Sequence, residues 1–539
     1  MKIRKIIILF APVFFLSVAC SDFDDINRDP VNPTEVNPNL QFSYIQLYTH
    51  GHLGLAEGSS NYPSTFIQHL MGNWSMTYYG GEYRKHDDSF GLIWNSMYGV
   101  PVKNIVDITR ATENVPQYKS LNAMIRIYKV YLFSLLTDIF GDIPYFDAGK
   151  GYLDRNFRPT YDKQEDIYTD FFLELDKAST ALTVSNEMVT GDIIYDGNIQ
   201  KWKMLLNSLR LRLAMRIVGK DKEKAHIEIR KALTPANGGV ILSAENDAVI
   251  KYLDIYEWDF NEIRRNALSQ TWRGRDAVPT PFLCSTLWEY LKKTKDPRQF
   301  RIGRTYYENS STQSVFDRID ITDEMRGLSN DLFQPIKPGY FQWDNWPGGY
   351  ISTLINGYVD KWTRPQLNKE FLRGNNPGII ITSSEVNLLL AEASLLWNDL
   401  NLTTTSEELY FTGVNQAMAL LSDKYRIAAV STAEFEQYKM DNPFPTNNEL
   451  RKKKINEQLW ILHLTNPIEA YSNWRRSGYP VLLPSASYGV KTIDSQSIPR
   501  RLCYPLFEKT YNPEGYKKAI SRMEGIDNWN KGVWWDINF

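Results

Sequence analysis

From Leu121 to Phe140 the apolar residues fall almost all the way round a helix. Only Asn122, Arg126, Lys129, Ser134, Thr137 and Asp138 interrupt them. A helix apolar on nearly every side must be buried by other elements. Arg126, Lys129 and Asp138 argue against a membrane span, which needs roughly 18 or more uncharged apolar residues. The stretch therefore predicts a central core helix. Gly141 is placed to provide a left-handed C-terminal cap, and Pro144 prevents the helix from restarting.

Around this beam the chain alternates between helical segments and loops. Leu40–Leu55 and Tyr62–Met71 predict helices, and Ser89–Thr112 a third, kinked at Pro101. Thr160 and the acidic run after it predict the start of a helix over Ile167–Leu182. Further helices are expected over Gln200–Val218 and over Asp221–Ala232, the latter capped by Asp221. Helical pattern returns at Val386–Trp397, Tyr410–Tyr425 and Asn447–Trp474. Helices joined in successive pairs suggest a helical-hairpin solenoid, although no strict repeat is present. Between Gly238 and Gly378 periodicity weakens apart from Pro281–Lys293, and aromatics are scattered among Gly, Asn, Asp and Pro. So long an irregular connection is usually functional. The tail Val481–Phe539 reads as loop-like and aromatic. The fold expected is mainly α, built of helical pairs with an irregular loop-rich region packed on them.

The N-terminus gives an address. Lys2, Arg4 and Lys5 precede the apolar run Ile6–Leu16, and Ser17-Val18-Ala19-Cys20 follows. This is the n-region, h-region and small-residue cleavage site of a secretory signal. The cysteine after that site resembles a bacterial lipoprotein signal, with residues 1–19 removed and Cys20 lipidated, here by palmitate-type acyl chains. Leu16 lies four residues before Cys20, where the usual pattern has it three before; ordinary secretion is the alternative. Ser21-Asp22-Phe23-Asp24-Asp25 resembles the acidic export signal that carries Bacteroidota lipoproteins to the outer leaflet. Residues 20–38 then form an acidic, Pro-rich tether. Cys284 and Cys503 read as two separate buried thiols, with a disulfide left open.

Five stations carry a wider resemblance: Arg126 into Phe140-Gly141-Asp142-Ile143-Pro144-Tyr145; Trp202–Ala214; Ser383-Ser384-Glu385 into Leu390-Ala391-Glu392-Ala393; Gln458-Leu459-Trp460 through Glu469-Ala470-Tyr471 to Arg475–Pro480; and Ile498–Pro505 with Glu508 and Asn512. In this order, behind a lipoprotein signal, they make the chain similar to the SusD/RagB family of nutrient-binding outer-membrane lipoproteins. The resemblance implies a right-handed superhelix of tetratricopeptide-like pairs in one domain, residues 39–539. Residues 39–237 and 379–480 would be scaffold, 238–378 a ligand-contacting variable region and 481–539 a closing segment. It also implies docking onto a SusC-type TonB-dependent transporter, over which the lipoprotein acts as a hinged lid. Arg210, Arg212, Arg475 and Arg476 read physically as structural, paired or capping helix ends.

Net charge of -2 and a pI near 6.4 argue against a nucleic-acid partner. No metal spacing, nucleophile elbow or phosphate-cradling loop is present: His50 and His52 stand alone, and Asp87-Asp88 reads as a solvated pair. The expectation is a binding protein, not an enzyme, without cofactor or metal. The aromatic content, with Trp 15, Tyr 32 and Phe 25, requires many rings to be half-wet or to line a ligand surface. Two clusters between glycines are candidates for stacking on sugar rings: Trp74, Tyr78, Tyr79 and Tyr83, and Trp343, Trp346 and Tyr350. Trp529, Trp534 and Trp535 read as packing residues. Glycan binding with delivery to the transporter is the leading expectation. Oligopeptide binding on the same scaffold, a secreted glycoside hydrolase and a purely adhesive protein are the alternatives.

Overall fold

The computed structural model describes residues 36–183, 189–273, 281–304, 335–340 and 365–538, with the backbone of four short strands, Tyr306–Asn309, Ile319–Asp320, Leu354–Ile355 and Tyr358–Val359. The Lys119–Phe140 helix forms the centre, and all of it but Lys119, Asn122 and Lys129 is buried. Gly141 ends the helix at φ 81° and ψ -120°. This is not the left-handed cap expected, but it is another region that only glycine enters readily. The Gly141 N–H donates to the Thr137 carbonyl at 2.8 Å. Ile143–Pro144 then pairs antiparallel with Tyr161–Asp162.

Helices pack in sequence-adjacent pairs, as the periodicity predicts: Lys119–Phe140 with Gln164–Ala181, Ile199–Ile217 with Lys222–Leu233, Ser383–Leu396 with Ser406–Tyr425, and Asn448–Leu462 with Pro467–Ser477. This is tetratricopeptide-like architecture. The pairs are tied by buried ion pairs as well as by apolar faces. Arg126 meets Glu174 at 2.7 Å, Arg210 meets Glu228, and Arg212 grips Glu385 at 2.6 and 2.7 Å. Arg476 takes Glu392 at 2.8 and 2.7 Å. Arg475 instead donates to the carbonyls of Asp138 and Arg500, at 2.6 and 2.8 Å. A buried guanidinium persists only when its donors are met, so these arginines hold the scaffold.

Several local expectations change. The first helix runs Pro38–Gly51, capped by Asn37, and stops at His52. Leu53–Asn61 and Pro63–Phe66 follow, and Leu70–Met71 is a strand, not the end of a helix. The Gln164–Ala181 helix has Lys163 at its N-cap with no side-chain cap; Asp142, from across the loop, accepts the Gln164 N–H at 2.9 Å. Asp221 does cap its helix, accepting the Lys224 N–H at 2.9 Å. The tail contains two helices, Phe507–Tyr511 and Pro513–Ser521. Leu70–Met71, Phe282–Leu283, Gln366–Leu367 and Gly303–Arg304 form a small antiparallel sheet that brings parts of the loop-rich region onto the scaffold. Cys284 and Cys503 are separate buried thiols.

Candidate functional site

The first aromatic cluster lies on a π-helical turn, Met76–Gly81. Its inner side, Met76, Thr77, Gly80 and Gly81, is buried. A Cβ on Gly80 would lie 1.9 Å from the Asn61 carbonyl oxygen, so only glycine lets the turn seat on the preceding helix. Asn73 Oδ1 accepts the Met76 N–H at 3.2 Å, and Thr77 Oγ1 accepts the Gly72 N–H at 2.9 Å. With its inner side fixed, the turn presents its rings outward. Trp74 is 51% exposed, and its indole stacks on Tyr78 with centroids 4.9 Å apart and planes 13° off parallel. Tyr79 meets Trp74 edge-on at 5.6 Å and stacks on His86 at 4.3 Å. The Arg84 guanidinium lies over the Tyr78 ring at 4.6 Å while its Nε donates to Glu82 at 2.7 Å. Burial, with Tyr78 and Asp88 nearby, raises the Tyr79 phenol, which stays protonated and able to donate.

Tyr83 does not belong to this platform. It is 1% exposed, with its ring edge-on to Phe66 at 5.8 Å, because its backbone turns at φ 55° and directs it inward. The sequence placed it with the ligand-facing rings; the structure makes it core. Trp343, Trp346 and Tyr350 lie outside the described residues, as does Cys20. The second cluster is described as far as Tyr340, whose carbonyl accepts the Thr77 hydroxyl at 3.1 Å. The Tyr340 hydroxyl donates to the Tyr488 carbonyl at 2.7 Å. Ser485 donates to the Gly81 carbonyl. Three segments distant in the chain therefore meet at the turn. Glu82 lies within the candidate stretch Asn73–Tyr83, whereas sequence reasoning missed Arg84 and His86, whose only signal was adjacency to the ring cluster.

Other candidates resolve into structure. Asp87 and Asp88 open the Asp87–Met97 helix, where negative charge suits the macrodipole, and Asp87 accepts the Leu506 N–H. His50 bonds the Tyr131 hydroxyl at 2.8 Å, and His52 accepts the Gly54 N–H at 3.2 Å; burial lowers both to about 4, so both are neutral at pH 7. Glu385, His463 and Glu469 converge closely enough to suggest metal ligands. However, Arg212 and Arg216 already neutralise both carboxylates, so a cation there would meet two guanidinium groups. Trp529 and Trp535 are buried, as expected of packing residues.

The fold and this turn define a tetratricopeptide-like helical protein carrying an outward-facing aromatic platform. The family model described as "Starch-binding associating with outer membrane" matches residues 36–505, and the chain belongs to that SusD-like family of nutrient- and glycan-binding outer-membrane proteins. A SusD-like structure from Bacteroidetes is 36% identical, with a TM-score of 0.85 over 93% of this chain and 100% of that one. A chitin-binding protein is 32% identical, with a TM-score of 0.75 over 93% and 100%. A chitin-binding SusD homologue from Flavobacterium johnsoniae, 23% identical with a TM-score of 0.66 over 93% and 98%, shares the fold. No curated protein sequence matches the chain. No helix among the described residues is long and apolar enough to cross a membrane.

Proposed function

We propose that the protein is anchored to the outer membrane through an acylated Cys20, binds glycans on its outer face and passes them to a SusC-type TonB-dependent transporter. One domain, residues 39–539, carries the binding surface, and residues 20–38 tether it. The observation that carries the binding step is the Trp74–Tyr78 stack, held on a fixed turn with Arg84 and Glu82 beside it. The flat C–H faces of a sugar ring pack on exposed indole and phenol rings, and charged side chains at the rim bond its hydroxyls. Rings positioned before ligand arrives lose little entropy on binding. Chitin binding in two structurally similar proteins favours chito-oligosaccharides as the first ligands to try. Trp343, Trp346 and Tyr350 are proposed to add further stacking.

Calorimetric titration of the full-length chain with chito-, malto- and peptide oligomers tests this. Trp74→Ala should keep the wild-type melting temperature and lose about tenfold or more in glycan affinity. Unchanged affinity in Trp74→Ala, or binding of peptides alone, overturns the glycan reading. Fatty-acid labelling that persists in Cys20→Ala overturns the anchor, and copurification without a transporter overturns the partner.

A further inference from the structure

One face of the scaffold is apolar, exposed and next to the start of the described chain. The Pro38–Gly51 helix carries no Asp, Glu, Lys or Arg. Its Phe42 and Ile45 are in the core. Gln41 donates to Asn104 and Asp107 on the Lys103–Thr112 helix at 2.8 and 3.1 Å, and Ser43 donates to the Gly191 carbonyl at 2.7 Å. Three sides of the helix are thus taken. The fourth presents Leu40 and Tyr44, one turn apart and 67% and 42% exposed, with Val36 just before the helix. A surface helix normally turns charge to water on that side.

The Lys103–Thr112 helix joins this stripe to a second apolar group. Its Asn104 side meets Gln41, and its opposite side, at Val106, meets Gly149, where a Cβ would lie 3.1 Å from the valine. Arg110 holds the same loop through Asp154 at 2.8 Å. Around the short Gly151–Asp154 helix, that loop puts Tyr152 and Phe157, 88% and 76% exposed, into water. The two groups therefore flank one helix on one face of the molecule. So much exposed aromatic surface on one face marks an interaction site. In the Lys103–Thr112 helix and residues 146–158, Lys103, Arg110, Lys150, Arg155 and Arg158 outnumber Asp107, Asp147 and Asp154. Phenol rings, aliphatic side chains and arginines in this mixture suit the boundary between lipid headgroups and acyl chains. The tether selects the same side. The link from Cys20 to Val36 spans at most about 55 Å, whereas half the way round a domain of this size is on the order of 90 Å.

We propose that this face rests on the lipid bilayer, with Leu40, Tyr44, Tyr152 and Phe157 entering the headgroup layer, an inference that rests on the acylated Cys20. The acylated full-length protein, in vesicles of phosphatidylethanolamine and phosphatidylglycerol, tests it without any transporter present. Cys284 and Cys503 are buried, so Tyr152→Cys takes a nitrobenzoxadiazole dye at position 152. Met440→Cys, on the exposed side of the Thr432–Asp441 helix, is the reference. The dye at 152 should shift to the blue and be quenched by spin-labelled lipid, and the dye at 440 should do neither. Leu40→Asp with Phe157→Asp should return the emission at 152 most of the way to its aqueous value, with little change in melting temperature because both side chains are exposed. Flotation with the vesicles reports the anchor separately. Loss of flotation removes the anchor and this proposal with it. Flotation with the dye at 152 unmoved, or moved only when a transporter is added, overturns the proposal alone and, in the second case, assigns the face to the transporter.

Discussion

The aromatic turn, residues 72–86, and the C-terminal segment, residues 498–538, use the same residue types for opposite ends. Both combine tryptophan, tyrosine, arginine and acid. In the C-terminal segment Trp529, Trp535, Arg500, Arg501 and Asp536 are enclosed. The Trp535 indole N–H donates to Asp138 at 2.9 Å, Arg500 grips Asp536 at 2.7 and 2.6 Å, and Arg475 lies between the rings of Tyr471 and Trp535 at 4.0 and 4.8 Å. In the turn, Trp74 and Arg84 face solvent although they too make ring and ion contacts. Residue type does not decide between clasp and platform. What decides is which side of the backbone is sealed, and at the turn the glycines seal the other side.

The comparison predicts its largest effect where burial is complete. Asp536→Ala leaves Arg500 buried and unpaired, and should cost about 3–5 kcal/mol in chemical unfolding. A cost near that of a surface pair would show that the tail is no clasp.

Next comes acid. His69 is buried, and burial lowers it to about 3 from 6.5. The folded state therefore refuses a proton that the unfolded chain accepts, so this contribution to stability is present above pH 6.5 and is lost as pH falls towards 3. At pH 5 the loss from His69 is about 2 kcal/mol relative to pH 7, and His69→Leu should remove that share of the slope in melts across the range, while His50 and His52, also lowered by burial, keep theirs. A slope that His69→Leu leaves unaltered would assign the acid sensitivity elsewhere.

Gly80→Ala should cost about 1–3 kcal/mol, because the methyl group meets the Asn61 carbonyl and pushes the turn off its seat. Glycan affinity should fall with it, which separates it from Trp74→Ala. The smallest effect is at the rim. Arg84→Ala removes a cation over Tyr78 worth about 0.5–1 kcal/mol at an exposed site, a few-fold in affinity, with little change in melting temperature. A large stability loss in Arg84→Ala would make the rim part of the clasp.

Much of the scaffold was legible because helical periodicity is local. The unbroken apolar surface of Leu121–Phe140 demanded burial on all sides, and Asp221 announced its helix through a capping bond only three residues long. The start of the Gln164–Ala181 helix was not legible, because its cap comes from Asp142, across the intervening loop. Tyr83 was misread for a related reason. Composition places it among exposed rings, whereas a positive φ directs it into the core.

The chain alone settled that its helices must pair and that a beam runs through their centre. Those conclusions follow from spacing along a few turns, where neighbours in sequence are neighbours in space. Only the tertiary structure decided which rings face water, which arginines are spent on buried carboxylates, and that residues near 77, 340 and 485 meet at one turn. Such choices depend on groups hundreds of residues apart competing for the same hydrogen bonds and the same dry space, and no local pattern records the outcome.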